Sequence, residues 1–388
     1  MTTERLYYED AKLFSFRAKV LACEADKKGF LIELDRTAFF PEGGGQSADT
    51  GVLGEARVPD VHEREGRILH CADRPIEPGT EVIGRIDAEQ RLRRMQNHSG
   101  EHILSGVTHR LYGYDNVGFH MGAEGVTIDF SGELDEEQLR RIETLANEAV
   151  RADLPIRAWY PSAEELAALD YRSKKELTGA VRLVEIKGVD LCACCAPHVS
   201  RTGEVGLIKI LAAERHRGGM RLSVVSGMDA LDDYRRRLES AGAASRLLSV
   251  PQEKIAAGVE RVLGEQARLK EHAVMLENEL ARRMAGQYGE TEGNLCVFLP
   301  GDLLGEPALR ELVNALSEKC GGFAAAFAGS DGAGWRYIIG SRHVDLRANG
   351  RAINAAIGGR GGGSPEMIQG RAQAARAEIE AAIGRFSS

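Results

Sequence analysis

Residues 87–113 read DAEQRLRRMQNHSGEHILSGVTHRLYG. Asp87 followed by Gln90 has the spacing of a capping box, the composition of Ala88–Leu111 is helical, and Gly113 supplies a stop. The segment upstream behaves differently. Leu13–Leu21, Phe30–Leu34 and Glu81–Ile86 are short β-rich runs, and Glu65-Gly66 sits between Val58–Val61 and Arg67–His70 as a hairpin tip would. Such pieces close most simply into a small barrel or curled sheet. Downstream, a second helix is expected over Glu136–Ala152, with strands at Val181–Ile186 and Val205–Leu211. The fold class is therefore α+β.

Two further regions follow. Met228, Leu231, Tyr234 and Leu238 form one helical stripe, and Ser249-Val-Pro-Gln252 reads as a second capping box with Pro251 in the first turn. Ile255, Val259, Val262, Gln266, Leu269, Ala273, Leu276 and Leu280 then alternate in steps of four and three, a coiled-coil seam with one polar member. That seam fits a helical hairpin or a homodimer interface equally well. The last hundred or so residues look βαβ-like. Strands are expected at Leu295–Leu299, Phe323–Ala328 and Trp335–Ile339, with a helix at Pro307–Lys319. A glycine-rich loop over Gly358–Gly363 and a final helix over Ser364–Ile383 complete the chain. The expected division is 1–90 barrel, 91–226 α+β domain, 227–286 helical hairpin or coiled coil, and 287–388 C-terminal α/β domain.

Composition narrows the function. The chain has 388 residues, 43% hydrophobic and 28% charged, which suits a soluble multidomain protein. No apolar run reaches the roughly 20 residues that span a bilayer, and the start lacks an apolar signal region. Seven scattered cysteines fit a reducing cytoplasm better than a disulfide scaffold. With a net charge of −8, any RNA partner must be met by local basic groups. Candidates are Arg91, Arg93 and Arg94 before the histidines and Arg215, Arg217 and Arg221 near residue 220; Arg235-Arg-Arg237 reads as a solvated helix face.

Two clusters carry chemistry. His98 and His102 are four apart on the helix, so both imidazoles share a face and can reach one ion. A metalloprotease would need its glutamate directly after the first histidine. Here Glu101 precedes the second and is expected to point elsewhere. His109 lies at another helical angle, and His120 reads as a structural loop histidine. Cys194 and His198, in Asp190-Leu-Cys-Ala-Cys-Cys-Ala-Pro-His198, are also four apart, and thiolate with imidazole suits zinc. Cys192 and Cys195 read as buried small hydrophobes, although either could replace Cys194 as ligand.

These motifs, with Thr37-Ala-Phe-Phe-Pro-Glu-Gly-Gly-Gly-Gln46 upstream and Gly358-Gly-Arg-Gly-Gly-Gly-Ser-Pro-Glu-Met-Ile-Gln-Gly370 near the end, resemble the editing and C-terminal parts of alanyl-tRNA synthetases and the long form of the free-standing AlaX proteins. Val126–Phe130, Arg201–Ile210 and Gly219-Met-Arg221 resemble further stretches of that family. One departure is visible: the family's Cys-Gly-Gly-Thr-His is here Cys194-Cys-Ala-Pro-His198, closer to the threonyl-tRNA synthetase editing domain. The resemblance implies one Zn2+ per chain on His98, His102, Cys194 and His198. It also implies a pocket containing Thr37 and Gln46, and hydrolysis of mischarged tRNA(Ala), chiefly Ser-tRNA(Ala) and secondarily Gly-tRNA(Ala). Contact with tRNA is expected through Arg221, Gly359, Arg360, Gly361 and Gly362, with phosphate meeting a helix N-terminus near Ser364. The aminoacylation domain would need several hundred residues upstream, and no P-loop pattern occurs, so hydrolysis without ATP is expected. The alternatives are editing of another mischarged tRNA, such as Ser-tRNA(Thr), or a non-enzymatic tRNA-binding protein with structural zinc.

Overall fold

A computed structural model describes residues 3–27, 29–122, 125–173 and 180–386. The chain is mixed α+β, with eight α-helices among the described residues, and it divides into two compact units, Met1–Ser240 and Ala241–Ser388. The division falls within the helix Met228–Leu248.

In the first unit the longest strand, Ser15–Asp26, alternates so that Phe16, Ala18 and Val20 face inward. Its first half pairs with Glu81–Ile86 and its second with Gly29–Leu34, with a register shift between Val20 and Ala22. That bulge bends the strand, and one chain segment serves both halves of a seven-stranded sheet. The edge strands Ala56–Val58 and Asp60–Arg64 do not pair with each other. Instead, the Asp73 N–H donates to the Arg57 carbonyl (3.1 Å), and the Arg57 N–H to Asp73 Oδ1 (2.8 Å). The expected barrel is therefore a nearly closed sheet. Its predicted hairpin tip is present: Glu65 and Gly66 both have positive φ, 51° and 78°, as a tight hairpin turn requires.

The helix read from residues 87–113 spans Ala88–Tyr112 and ends at Gly113 with φ 70°. Only half of its capping box forms. Asp87 accepts from the Gln90 N–H, while Gln90 Oε1 accepts from the Thr50 hydroxyl (2.9 Å) instead of turning back. Small residues let this helix sink into the unit: a Cβ on Gly100 would lie 2.2 Å from Ser226 Oγ, and one on Gly106 would lie 2.3 Å from the Val189 carbonyl. The helix is thus pressed against Gly219–Ser226 of a four-stranded sheet and against Asp190–Ala193 of a three-stranded one. The second helix, Glu136–Arg151, has the full capping box of Asp135 and Gln138. The strand expected from Val205 begins only at Ile208, because Thr202–Val205 is a 3-10 turn closed by Gly206 at φ 80°. The other expected strand is shorter than read, Leu183–Ile186.

In the second unit the capping box at Ser249 does not form. Ser249 adopts φ 53° and ends the preceding helix, and Pro251 caps a short 3-10 turn, Gln252–Lys254. The helix that follows, Ile255–Gly286, buries only Gly258, Ala281 and Ala285. Its seam is exposed: Val259, Leu269 and Leu276 are 43%, 69% and 58% exposed. Ala281 and Ala285 pack with Ala308, Leu309 and Leu312 of the helix Glu306–Ser317. The expected βαβ is present, with Leu295–Leu299 parallel to Ala324–Ser330.

The tail differs from its reading. Gly359–Gly363 is the edge strand of a five-stranded sheet, paired with Met367–Ala372. The final helix is Arg376–Arg385, and a further helix, Leu346–Ala356, precedes the glycine-rich strand. The glycines serve strand contact: a Cβ on Gly361 would lie 2.2 Å from the Gln369 carbonyl and 2.3 Å from Tyr337 Oη. No helix starts at Ser364, so the expected phosphate site at such an N-terminus does not exist.

Candidate metal centre

The buried face of the first helix presents His98 and His102 toward the segment that leaves strand Asp190–Ala193. Donor atoms of His98, His102, Cys194 and His198 all lie within 4.8 Å of one another. His98 Nε2 and His198 Nε2 stand 3.5 and 3.4 Å from Cys194 Sγ. Donors on a tetrahedral zinc at ordinary bond lengths stand roughly 3.3–3.8 Å apart, so three imidazoles and a thiol here fit such an ion. Cys192 takes a different place, grouped with His102 and Asp190, and it is buried as expected. Cys195 is exposed, contrary to its reading as a buried hydrophobe.

The other nitrogen of each ring is held by a separate partner. His98 Nδ1 meets Gln46 Oε1 (2.9 Å), His102 Nδ1 meets Asp190 Oδ2 (2.8 Å), and His198 Nδ1 meets Ser99 Oγ (3.0 Å). Asp190 is anchored in turn by Arg172 Nε at 2.8 Å. Such contacts fix the tautomer and aim Nε2 inward, the usual support of a histidine metal ligand. Gln46 reaches the helix because its loop crosses close to a strand: Gly45 has φ 84°, and its carbonyl accepts the Met121 N–H at 2.8 Å. The ligand loop is tied as well, with Arg182 Nη1 donating to the carbonyls of Cys194 (2.9 Å) and Ala196 (3.0 Å).

The electrostatics are those of a thiolate among imidazoles. Burial alone would raise the Cys194 thiol, but His98 and His198 bring it well below the usual thiol range. Burial pushes His198 down to about 3, which keeps its ring neutral. His102 is also disfavoured as a cation by burial, yet Glu101, Asp190 and Cys194 together raise it well above an ordinary histidine.

The cluster opens on a cleft of about 630 Å³. Its wall includes Arg5, Tyr8, Phe119, Tyr160 and Arg182. The Arg182 guanidinium lies 5.0 Å from the Tyr8 ring centroid, and Tyr160 meets Tyr8 edge-on. Aromatic rings and a guanidinium group gathered on one cleft wall suit an unpaired nucleotide. Scattered through the chain, these residues carry no sequence spacing that would have revealed them.

The remaining candidates differ in where they lie. Thr37 is fully buried, and its hydroxyl meets His70 Nε2 (2.8 Å) and accepts the Phe39 N–H (3.1 Å); it does not line the cleft. Gln46 is also fully buried, and its Nε2 has no hydrogen-bond partner among the described residues. Glu101 does not point away: Oε1 accepts from Ser105 (2.8 Å) and Asn116, and Oε2 lies 3.7 Å from His102 Nε2. Its separation of three from His98 was the available signal.

The first basic cluster is structural, contrary to its reading as an RNA contact. Arg91 is fully buried against Asp49, Arg93 is held by Asp229 and Asp232, and Arg94 is mostly buried and donates to the Ala48 carbonyl. Arg215 pairs with Glu133, and Arg221 makes two bonds of 2.7 and 2.8 Å to Asp129. Arg235, Arg236 and Arg237 pair with Asp232 and Asp233 on a solvated face, as expected. His109 is exposed and lies 3.0 Å from Asp115, and His120 is exposed on a strand rather than a loop. In the second unit, Gly359, Arg360, Gly361 and Gly362 lie together on the edge strand.

Residues 181–222 match the family model described as the threonyl and alanyl tRNA synthetase second additional domain, and residues 2–90 match that of class II (A) tRNA synthetases. The alanine–tRNA ligase of Pyrococcus abyssi is 33% identical over 95% of this chain, and that of Natronomonas pharaonis is 34% identical over 95%. The chain is alanyl-tRNA synthetase-like, and its residues 181–222 are similar to the second additional domain. It spans 42% of the length of each of these two relatives. No helix among the described residues is long and apolar enough to cross a membrane.

Proposed function

We propose that the first unit is a cytoplasmic editing hydrolase that cleaves the ester of mischarged tRNA(Ala), Ser-tRNA(Ala) first and Gly-tRNA(Ala) second, without ATP. The observation that carries this reading is the convergence of four metal-type donors, three of them from residues that line a nucleotide-sized cleft. A synthetase pocket for alanine rejects an added hydroxyl poorly, so a second, hydrolytic site is needed. A site that hydrogen-bonds the serine hydroxyl discriminates the other way, because alanine leaves its polar groups unpaired.

His98, His102, Cys194 and His198 would hold zinc, which polarises an ester carbonyl or activates water when bound. Gln46, Asp190 and Ser99 keep the three imidazoles aimed. The Gln46 amide, buried beside His98 with spare hydrogens, is assigned to the serine hydroxyl. Thr37, engaged by His70, supports the wall behind it. Tyr8, Tyr160 and Arg182 receive the terminal adenosine, and the second unit holds the tRNA body.

Two observations favour other readings. Four protein donors can close a tetrahedral site, which suits a structural ion in a non-enzymatic tRNA-binding protein. The matched domain is shared with threonyl-tRNA synthetases, which suits Ser-tRNA(Thr). One assay separates all three: release of serine from Ser-tRNA(Ala) and Ser-tRNA(Thr), with Ala-tRNA(Ala) as control, for the full chain and for Cys194→Ala. Serine release from tRNA(Ala) alone, lost in the variant, is expected. No release from any substrate by the zinc-loaded chain refutes the hydrolase.

A further inference from the structure

Glu101 is a carboxylate with 1% side-chain exposure inside the histidine helix, one position before a candidate ligand. Its Oε1 accepts from the Ser105 hydroxyl (2.8 Å) and from the Asn116 amide, and that amide also donates to the Ser105 hydroxyl (2.9 Å). Asn116 is fixed in turn, its Oδ1 accepting the Gly118 N–H at 3.1 Å. The two carboxylate oxygens are thus distinguished: Oε1 is tied to the scaffold, and Oε2 lies 3.7 Å from His102 Nε2. Because Asp190 takes Nδ1 of that ring, Nε2 is the nitrogen that meets an ion. At a zinc–nitrogen bond of about 2.1 Å, Oε2 stands no farther than about 6 Å from the ion. It is nevertheless outside the shell, since the four donors gathered within 4.8 Å of one another do not include it.

Glutamate is seldom fully buried without compensation, and burying an unanswered charge is costly. Here the charge balance of the centre supplies that compensation. A divalent ion on three neutral imidazoles and one thiolate retains one positive charge. Asp190 does not cancel it, because Arg172 already answers that carboxylate at 2.8 Å. Glu101 brings the missing negative charge to close range, in an interior where little water or salt screens it.

We infer that Glu101 is the charge-balancing carboxylate of the metal centre: from outside the donor shell it biases the site toward divalent over monovalent ions. The inference rests on the reading of His98, His102, Cys194 and His198 as metal ligands. Coulomb energy scales with the charge of the ion. Whatever factor Glu101 contributes to the affinity for a divalent ion, it contributes the square root of that factor for a monovalent one.

The test uses the full chain and Glu101→Gln, which keeps the shape of the side chain and removes its charge. Affinity is measured for Zn2+ against a chromophoric chelator, and for Cu+ against bicinchoninate under anaerobic, reducing conditions. Zn2+ affinity should fall about 10- to 100-fold and Cu+ affinity about three- to tenfold. Co2+ absorption bands should keep their positions in the variant, because the donor set is unchanged. Glu101→Asp disturbs the same contacts with Ser105 and Asn116 but keeps the charge, so its Zn2+ affinity should fall by less than about threefold. Equal losses for the two ions, no loss for either, or displaced Co2+ bands would overturn the proposal. A Glu101→Asp loss of about tenfold or more would do the same, and decides alone if Glu101→Gln does not fold. A wild-type chain that binds neither ion overturns the ligand reading as well, so the two failures are told apart.

Discussion

Replacing Asp190 by asparagine tests whether the imidazole supports set metal affinity. Asp190 is buried, with Oδ2 on His102 Nδ1 and Oδ1 on Arg172 Nε, both at 2.8 Å. Asparagine keeps the shape but offers one acceptor and one amide group to two donors, so one contact becomes a clash of N–H groups. If the amide oxygen stays with Arg172, His102 loses the partner that aims its ring. Loss of such a support costs about 10–100-fold in metal affinity, or about 1.4–2.7 kcal/mol. If the oxygen turns to His102, the Arg172 guanidinium is left without its carboxylate. Breaking a buried pair costs about 3–5 kcal/mol; the Arg172 side chain retains 13% exposure, which favours the lower end. Competition with a chromophoric chelator measures the first quantity, and urea unfolding of metal-stripped protein measures the second. Zinc affinity and stability both equal to wild type would refute the argument that Asp190 links ligand to scaffold.

Asp49→Asn should cost about 3–5 kcal/mol in a denaturant titration, because it strands the fully buried Arg91 and weakens the acceptor of the Phe40 N–H. Gly361→Ala should destabilise by about 1–3 kcal/mol through overlap with Gln369 and Tyr337, whereas Gly362→Ala, facing open space, should be near neutral; thermal melts decide. Arg221 holds the Asp129 carboxyl below its ordinary value. A depressed carboxyl stabilises the fold above its unfolded value of about 3.9, and the contribution disappears as pH falls through the folded value. The stability gap between wild type and Asp129→Asn should therefore be constant near neutrality and close in acid; a gap independent of pH down to complete acid unfolding counts against the pairing.

Local rules were legible wherever one segment satisfied its own requirements. The helix after Asp87, the Glu65-Gly66 turn and the His98–His102 pair follow from caps, positive φ and helical period. What stayed hidden was decided by distant partners. Arg91 reads as a basic surface group until Asp49 arrives from another segment, and the contact of Gln46 with His98 appears only once Gly45 brings its loop to the helix. The tail misled for a related reason: glycines report only that something passes close, and here it was a neighbouring strand and the Tyr337 hydroxyl rather than a phosphate. Ser249 and Pro251 have capping composition, but Ser249 was needed to end the previous helix.

The Gln46–His98 bond also bears on modularity. One of the three ring supports comes from the strand-rich segment preceding the histidine helix, while Ser99 and Asp190 come from the helix and the strand after it. A fragment excised after residue 90 would keep all four donors but lose the amide that steers His98. Shuffling of this region between proteins is therefore constrained to carry the glycine loop along with the histidines.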